Sequence, residues 1–257
     1  HEEHEEEHDE EEHEGERIFS STDSDIFNIE GSLVVDTKFI KSVDFYFRDT
    51  DYSLTEQHAE EAHEDEHEHE DEHEGHSEGP TLFKNDAKEY GLTLDLGSRA
   101  FSQKVAIKSS DEKMSIIGSE AFMNPSDSDE FSLGYYLSAP TEIFHLDFGI
   151  RHDRVSRNGS VTHREEEHHE NHEDEHEDEH EEAEIDFFDR DINSTSYAFS
   201  VSNELNDFVS VNLGLSYLER APSSVELFMN GPHLATGRYE VGNTSLESEE
   251  ANNIDLT

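Results

Sequence analysis

This sequence predicts an all-β fold, an antiparallel transmembrane β-barrel of which it holds about nine strands of a larger whole. Three observations carry that expectation. Apolar residues alternate with small or polar ones at a period of two over most of the chain, the pattern of strands with one apolar face. No comparable helical stripe appears. The connections between these segments alternate strictly between short and long.

The clearest alternation sets Tyr90, Leu92, Leu94 and Leu96 against Gly91, Thr93, Asp95 and Gly97. Phe144, Leu146, Phe148 and Ile150 alternate with His145, Asp147, Gly149 and Arg151, and Val209, Val211, Leu213 and Leu215 with Ser210, Asn212 and Gly214. On this basis strands fall near 26–35, 42–53, 87–97, 103–110, 130–139, 143–155, 194–202, 208–219 and 249–257. Short connections (36–41, 98–102, 139–142, 203–207) alternate with long ones (54–86, 111–129, 156–193, 220–248). In an antiparallel meander every second connection lies at the same end, so all the long loops leave one rim. Short turns at one end, long loops at the other and a half-apolar strand describe an outer-membrane barrel, with its apolar face against membrane lipid. Phe45, Tyr46, Phe47, Tyr52, Tyr135 and Tyr136 sit where interfacial aromatic girdles are expected. A β-sandwich or β-helix with acidic insertions is the soluble alternative. No apolar run has the length of a spanning helix and no signal-peptide pattern is present.

Charge is concentrated in three tracts. The chain carries 67 acidic residues against 17 basic ones, a formal charge of -50, and residues 1–16, 56–79 and 163–186 hold 37 of the acids. They also hold sixteen of the nineteen histidines. Such runs bury no apolar surface to offset the roughly 1–2 kcal/mol per residue of backbone ordering, so they are expected to be disordered loops of the barrel. Nucleic acid is excluded as a partner, because binding it requires Lys and Arg to displace condensed counterions. Cations are the natural partners.

Imidazole decides which cations. Neutral histidine suits Zn²⁺, with Cu²⁺ or Ni²⁺ also compatible, whereas a loop of oxygen ligands alone suits Ca²⁺ or Mg²⁺. His172, His176 and His180 recur at four-residue spacing beside His168 and His169, as do His63, His67 and the His69/His73 pair beside His76. Repetition of this kind specifies no single tetrahedral site; it gives many weak, exchanging ones. The alternative is a solvated charge brush, which acid alone would supply. Outside the tracts, His145 shares the polar strand face with Asp147 and Arg151 and is expected to line the lumen. His152 has the other parity and is expected at the interface.

The segment from Ser216 to Thr257 contains Arg220-Ala221-Pro222, then Glu226-Leu227-Phe228, then Leu246 and Glu249 ahead of a last strand. It resembles the late barrel region of TonB-dependent outer-membrane receptors. Gly231-Pro232-His233-Leu234-Ala235-Thr236 followed by Tyr239-Glu240-Val241-Gly242-Asn243 is similar to the zinc-uptake, ZnuD-like branch. So are Ile117-Gly118-Ser119-Glu120-Ala121-Phe122-Met123-Asn124-Pro125 and Thr81-Leu82-Phe83-Lys84-Asn85-Asp86.

The resemblance implies a receptor that imports zinc across the bacterial outer membrane, a transporter and not an enzyme, energised by the TonB complex through a plug domain. Residues 1–257 would then be one part of the barrel. The chain opens inside a low-complexity tract and ends within an expected strand, so the plug and the closing strands are expected to lie outside it. The resemblance also implies that His233 and Glu120 face the substrate path and supply ligands to a discrete zinc site completed by the plug. A receptor for haem or another metal chelate is the alternative within transport, since histidine also ligates haem iron. A non-transporting surface protein that buffers metal is the alternative outside it.

Overall fold

The computed structural model describes residues 18–35, 37–58, 79–97, 100–118, 121–163, 184–233 and 238–257, with the backbone alone of Ile18, His58 and His233. Nine strands form one antiparallel sheet in the order β1-β2-β3-β4-β5-β6-β7-β8-β11. They are β1 (Ile18–Val34), β2 (Ser42–His58), β3 (Thr81–Asp95), β4 (Ser102–Ile117), β5 (Ser126–Pro140), β6 (His145–His163), β7 (Glu184–Asn206), β8 (Val209–Arg220) and β11 (Glu249–Leu256). Between β8 and β11 lie the short helix α1 (Ser224–Phe228) and the hairpin strands β9 (Asn230–His233) and β10 (Arg238–Val241). The sheet is a partial barrel: among the described residues β1 and β11 each pair with one strand.

All nine expected strands are present, and the short turns fall at one end as the meander requires. They are held locally: Thr37 Oγ1 donates to the Ile40 carbonyl and accepts from its N–H, Thr141 Oγ1 does the same for Phe144, and Asn206 Oδ1 accepts from Phe208 N–H at 2.9 Å. The expected strand ends need correction on the other side. The strands run on for several more residues toward the long loops, so that the expected loop range 56–79 begins inside a strand and 163–186 begins and ends inside strands: Glu56 to His58 belong to β2, His163 to β6 and Glu184 to Asp186 to β7. At 15–23 residues, β1 to β7 far exceed the roughly 9–11 needed to cross a bilayer. Beyond the membrane no lipid covers the outer face, so the apolar alternation that marks a strand in sequence disappears while the ladder continues.

Register sorts the side chains into two faces. One face carries rows such as Phe45, Leu92, Ile107 and Leu133, then Leu94, Val105, Tyr135, Ile150, Tyr197 and Tyr217, then Leu137, Phe148, Phe199, Leu215 and Ile254. These residues are largely exposed in the isolated chain, Phe148 and Ile254 among them, as a lipid-facing band must be. The opposite face carries Ala106, Gly134, Arg151 and Ser196, and beside them Lys108, Ser132, Asp153 and Ser194. The aromatic girdle is therefore smaller than expected. Phe45, Phe47 and Tyr135 share the apolar face, with Phe47 against Tyr90 at 5.0 Å between ring centroids. Tyr46, Tyr52 and Tyr136 have the other parity and face inward, because neighbouring residues of a strand cannot both face lipid.

Near the long-loop end β7 and β8 part company. Their ladder stops at Tyr197 opposite Tyr217, and side chains finish it: Thr195 N–H donates to Glu219 Oε2 at 2.5 Å, and Glu219 N–H to Ser196 Oγ at 3.0 Å. β7 continues alone beside β6. The Arg190 guanidinium, on the inner face opposite Arg157, reaches the carbonyls of Thr244 and Leu246 and so ties the segment after β10 to β7.

Candidate substrate mouth

The long-loop end contains a small apolar core of its own. Ile116, Phe122, Met123, Val161, Leu227 and Phe228 are buried together, and Phe83, Met114, Phe188, Val225, Met229 and Leu246 pack around them. Phe228 is 1 % exposed and its ring lies directly over Gly159 on the inner face of β6, where any Cβ would collide with it. Phe188 stacks against the same ring at 6.3 Å, and Phe83 meets Phe122 at 6.0 Å. Gly118, which begins the loop carrying Phe122, has φ +144° and the Pro80 carbonyl 2.7 Å from where a Cβ would stand, so glycine is required there twice over.

α1 is held in place by its ends, since five residues are too few to be stable alone. Ser223 caps it, in a capping box with Glu226: Ser223 N–H donates to Glu226 Oε2 at 2.7 Å and Glu226 N–H to Ser223 Oγ at 3.3 Å. Arg220 grips the same carboxylate with both terminal nitrogens, at 3.0 and 2.9 Å, and donates from Nε to Glu249 at 3.0 Å. This fork draws the end of β8, the helix and the start of β11 together. It also lowers the Glu226 pKa to about 2, with the Arg220 hydrogen bonds first and the Ser223 backbone second, and it raises that of Arg220. Ser224, next to the cap, meets Ser128 Oγ at 2.9 Å on the inner face of β5. Ser223 and Ser224 thus both have structural partners.

Two polar loops close a pocket of ≈ 330 Å³ beside this core. It is lined by Ala121, Phe122, Met123 and Asn124 from one side, Asn230, Gly231, Pro232 and Tyr239 from the other, and Ser160, Thr162 and Phe228 beneath. Asn230 N–H donates to the Phe122 carbonyl at 2.7 Å, which joins the loops directly. Asn124 Nδ2 donates to Ser160 Oγ and Thr162 Oγ1, Asn230 Nδ2 donates to the Thr162 carbonyl, and Tyr239 donates to Asn230 Oδ1. The described lining is amide, hydroxyl and aromatic with the Met123 thioether beside them, and holds no carboxylate or imidazole.

Of the residues expected to hold metal, His233 is the last of β9, opposite Arg238. Glu120 lies outside the described residues, between Gly118 and Ala121, whose N–H donates to the Gly118 carbonyl at 3.3 Å. His63, His67, His69, His73, His76, His168, His169, His172, His176 and His180 also lie outside them. Among the described residues no three His, Asp or Glu side chains gather in a metal-holding arrangement. His145 takes the expected inner face, beside Asp147 at 3.2 Å. His152 takes the outer face, where Nδ1 meets Thr195 Oγ1 at 2.9 Å. Sequence reasoning missed the core and its pocket. The available signal was the presence of two apolar pairs, Phe122-Met123 and Leu227-Phe228, in loops that are otherwise polar.

The three segments that carried the resemblance, containing Thr81, Phe122 and Phe228, are those that meet in this core. Known structures share the fold. A double mutant of the Serratia marcescens hemophore receptor HasR, in complex with its hemophore HasA and heme, superposes with a TM-score of 0.66 at 12 % identity over 93 % of this chain. The copper transporter OprC superposes with a TM-score of 0.63 at 13 % identity over 93 %. The chain spans 36 % of the length of each. The family model for the TonB dependent receptor-like β-barrel matches residues 17–257, and the chain belongs to that family of outer-membrane barrels.

Proposed function

We propose that this chain is part of the barrel of an outer-membrane receptor that imports zinc, energised by the TonB complex through a plug domain. The histidine and glutamate tracts collect Zn²⁺ at the outer rim, and a tighter site at the mouth, with ligands from His233 and Glu120, passes it inward. Carboxylates raise the local cation concentration within about one Debye length, roughly 8 Å, while imidazole biases the choice toward zinc. The observation that carries the reading is the junction of the two loops. The Asn230 to Phe122 hydrogen bond lies three residues from His233 and two from Glu120 along their respective segments, so the chain stretches bearing both proposed ligands converge on one pocket.

A second reading has its own support. The described pocket lining is aromatic and amide, which suits the organic part of a haem or another metal chelate. Equilibrium binding by the purified full receptor separates the two. On the zinc reading it binds Zn²⁺ without any organic carrier, and His233→Ala weakens the tightest class of site by more than about tenfold, since even partners behind a ligand contribute that much. Haem binding with no Zn²⁺ binding overturns the zinc reading in favour of the chelate. Unchanged zinc affinity in His233→Ala removes that residue from the ligand set.

A further inference from the structure

We propose that His145 and Asp147 form a divalent-cation site on the inner wall of the barrel near its short-turn end, taking Zn²⁺ after it has left the mouth. The choice of ion rests on the zinc reading above; the site itself rests on geometry. His145 Nε2 lies 3.2 Å from Asp147 Oδ1. Two ligands at 2.0–2.2 Å from a tetrahedral ion stand about 3.3–3.6 Å apart, so the donor atoms already lie close to the spacing of one tetrahedral edge. As a hydrogen bond between an imidazole and a carboxylate the same distance is at the upper end of the ordinary range of about 2.7–3.2 Å.

The surroundings fit a way-station. Ser138 Oγ lies 2.7 Å from the same Nε2, Tyr136 donates to Asp147 Oδ1 at 2.7 Å, and Ser200 Oγ donates to Oδ2 at 3.3 Å. The other inner-wall acids of β5 and β6 are neutralised, Asp153 by Arg151 and Glu130 by Arg157, whereas among the described residues Asp147 bonds only hydroxyls and His145. Both side chains remain open to the lumen, 42 % and 31 % exposed. Across the register Asp147 is followed by Ser200, Gly214 and Asp255, and a pocket of ≈ 320 Å³ lies over that row. With no side chain at Gly214 the way from Asp147 toward the next carboxylate is unobstructed. Two protein ligands leave the remaining positions to water, which makes binding weak enough to release, as a path through a wall requires.

The experiment is residue-resolved carbethoxylation of histidines by diethylpyrocarbonate in the full receptor, held in outer-membrane vesicles and read by mass spectrometry across a Zn²⁺ titration. With Nε2 on the metal and Nδ1 protonated, His145 does not react. At a free Zn²⁺ concentration ten times the dissociation constant its modification slows about tenfold, while His152 keeps its rate. Asp147→Asn abolishes the protection. Mg²⁺, which prefers oxygen ligands, leaves His145 reactive, and this control needs no variant to fold. Protection of tract histidines with none at His145 overturns the inner site and leaves the zinc reading standing. Equal protection of His145 and His152 overturns it too, as a general change in access. No protection anywhere overturns both.

Discussion

The strand middles and the strand tops use one continuous ladder but are ordered by different surroundings. In the middles, Leu133, Ile150, Phe148 and Leu215 stand exposed on the outer face among the described residues, and the inner face is glycine, alanine, serine and charge. Lipid supplies the apolar phase. In the tops the polarity is turned round: Val161, Leu227 and Phe228 are buried on the inner side, whereas the outer face carries aspartate and lysine, such as Asp86 beside Lys113 and Asp127. There the chain has to build an apolar phase for itself, and it does so with the loops after β4 and β8. The lesson is that the mouth folds like a fragment of a soluble protein set on a membrane scaffold, so the two parts should fail independently.

The largest test of that independence is Phe228→Ala in the full receptor. Removing a ring that is 1 % exposed and seated over Gly159 is expected to cost about 3–5 kcal/mol of loop docking, the range for a buried Phe truncated to Ala. Amide exchange in residues 221–233 and 238–248 should accelerate by orders of magnitude while the urea midpoint of the barrel in lipid vesicles stays where it was. A fall in that midpoint of comparable size would show that the mouth core and the barrel are one cooperative unit.

The converse change is Phe148→Arg. Phe148 lies between Leu137 and Phe199 inside the apolar band, toward its short-turn end, where an arginine facing lipid costs part of the about 2–4 kcal/mol it would cost at the bilayer midplane. The urea midpoint should drop and exchange in α1 should not. Loss of α1 protection in this variant, with the barrel still assembled, would break the separation from the other side.

The same division explains what could be read from the sequence. Where lipid faces one side, as along Tyr90 to Leu96, alternation is obligatory and the strand is legible. Above the lipid, as in Asp186 to Ser194 of β7 or Ser109 to Lys113 of β4, the outer face is free to be polar, no period survives, and the strand is fixed by its neighbours rather than by its own composition. The resemblance picked out Arg220, Glu226 and Glu249 as a motif, and their shared fork supplies the physical cause, but a partnership between residues 29 apart leaves no periodic trace. Gly159 and Phe228 are farther apart still. His145 and Asp147 were legible as inward-facing from parity alone, since residues two apart on a strand share a face; what parity could not give was the 3.2 Å between their donor atoms.

Acid gives the smallest effect and the most local one. Glu226 is held at about pKa 2 from an ordinary 4.5, so its ionised form favours the docked helix. The sign follows from linkage: a carboxylate with a depressed pKa contributes its full stabilisation above the ordinary value and loses it as pH falls from 4.5 toward about 2. Its side chain is 39 % exposed, so solvent screens the fork and the contribution is modest. α1 should therefore be indifferent to pH between 8 and 5. Below that, pepsin should cut at Leu227-Phe228 increasingly fast relative to an unfolded peptide of the same sequence, and Glu226→Gln should be cut at a relative rate that no longer depends on pH in that window. If Glu226→Gln retains the acid step, the switch belongs to another carboxylate, and Glu249, which shares Arg220, is the one to replace next.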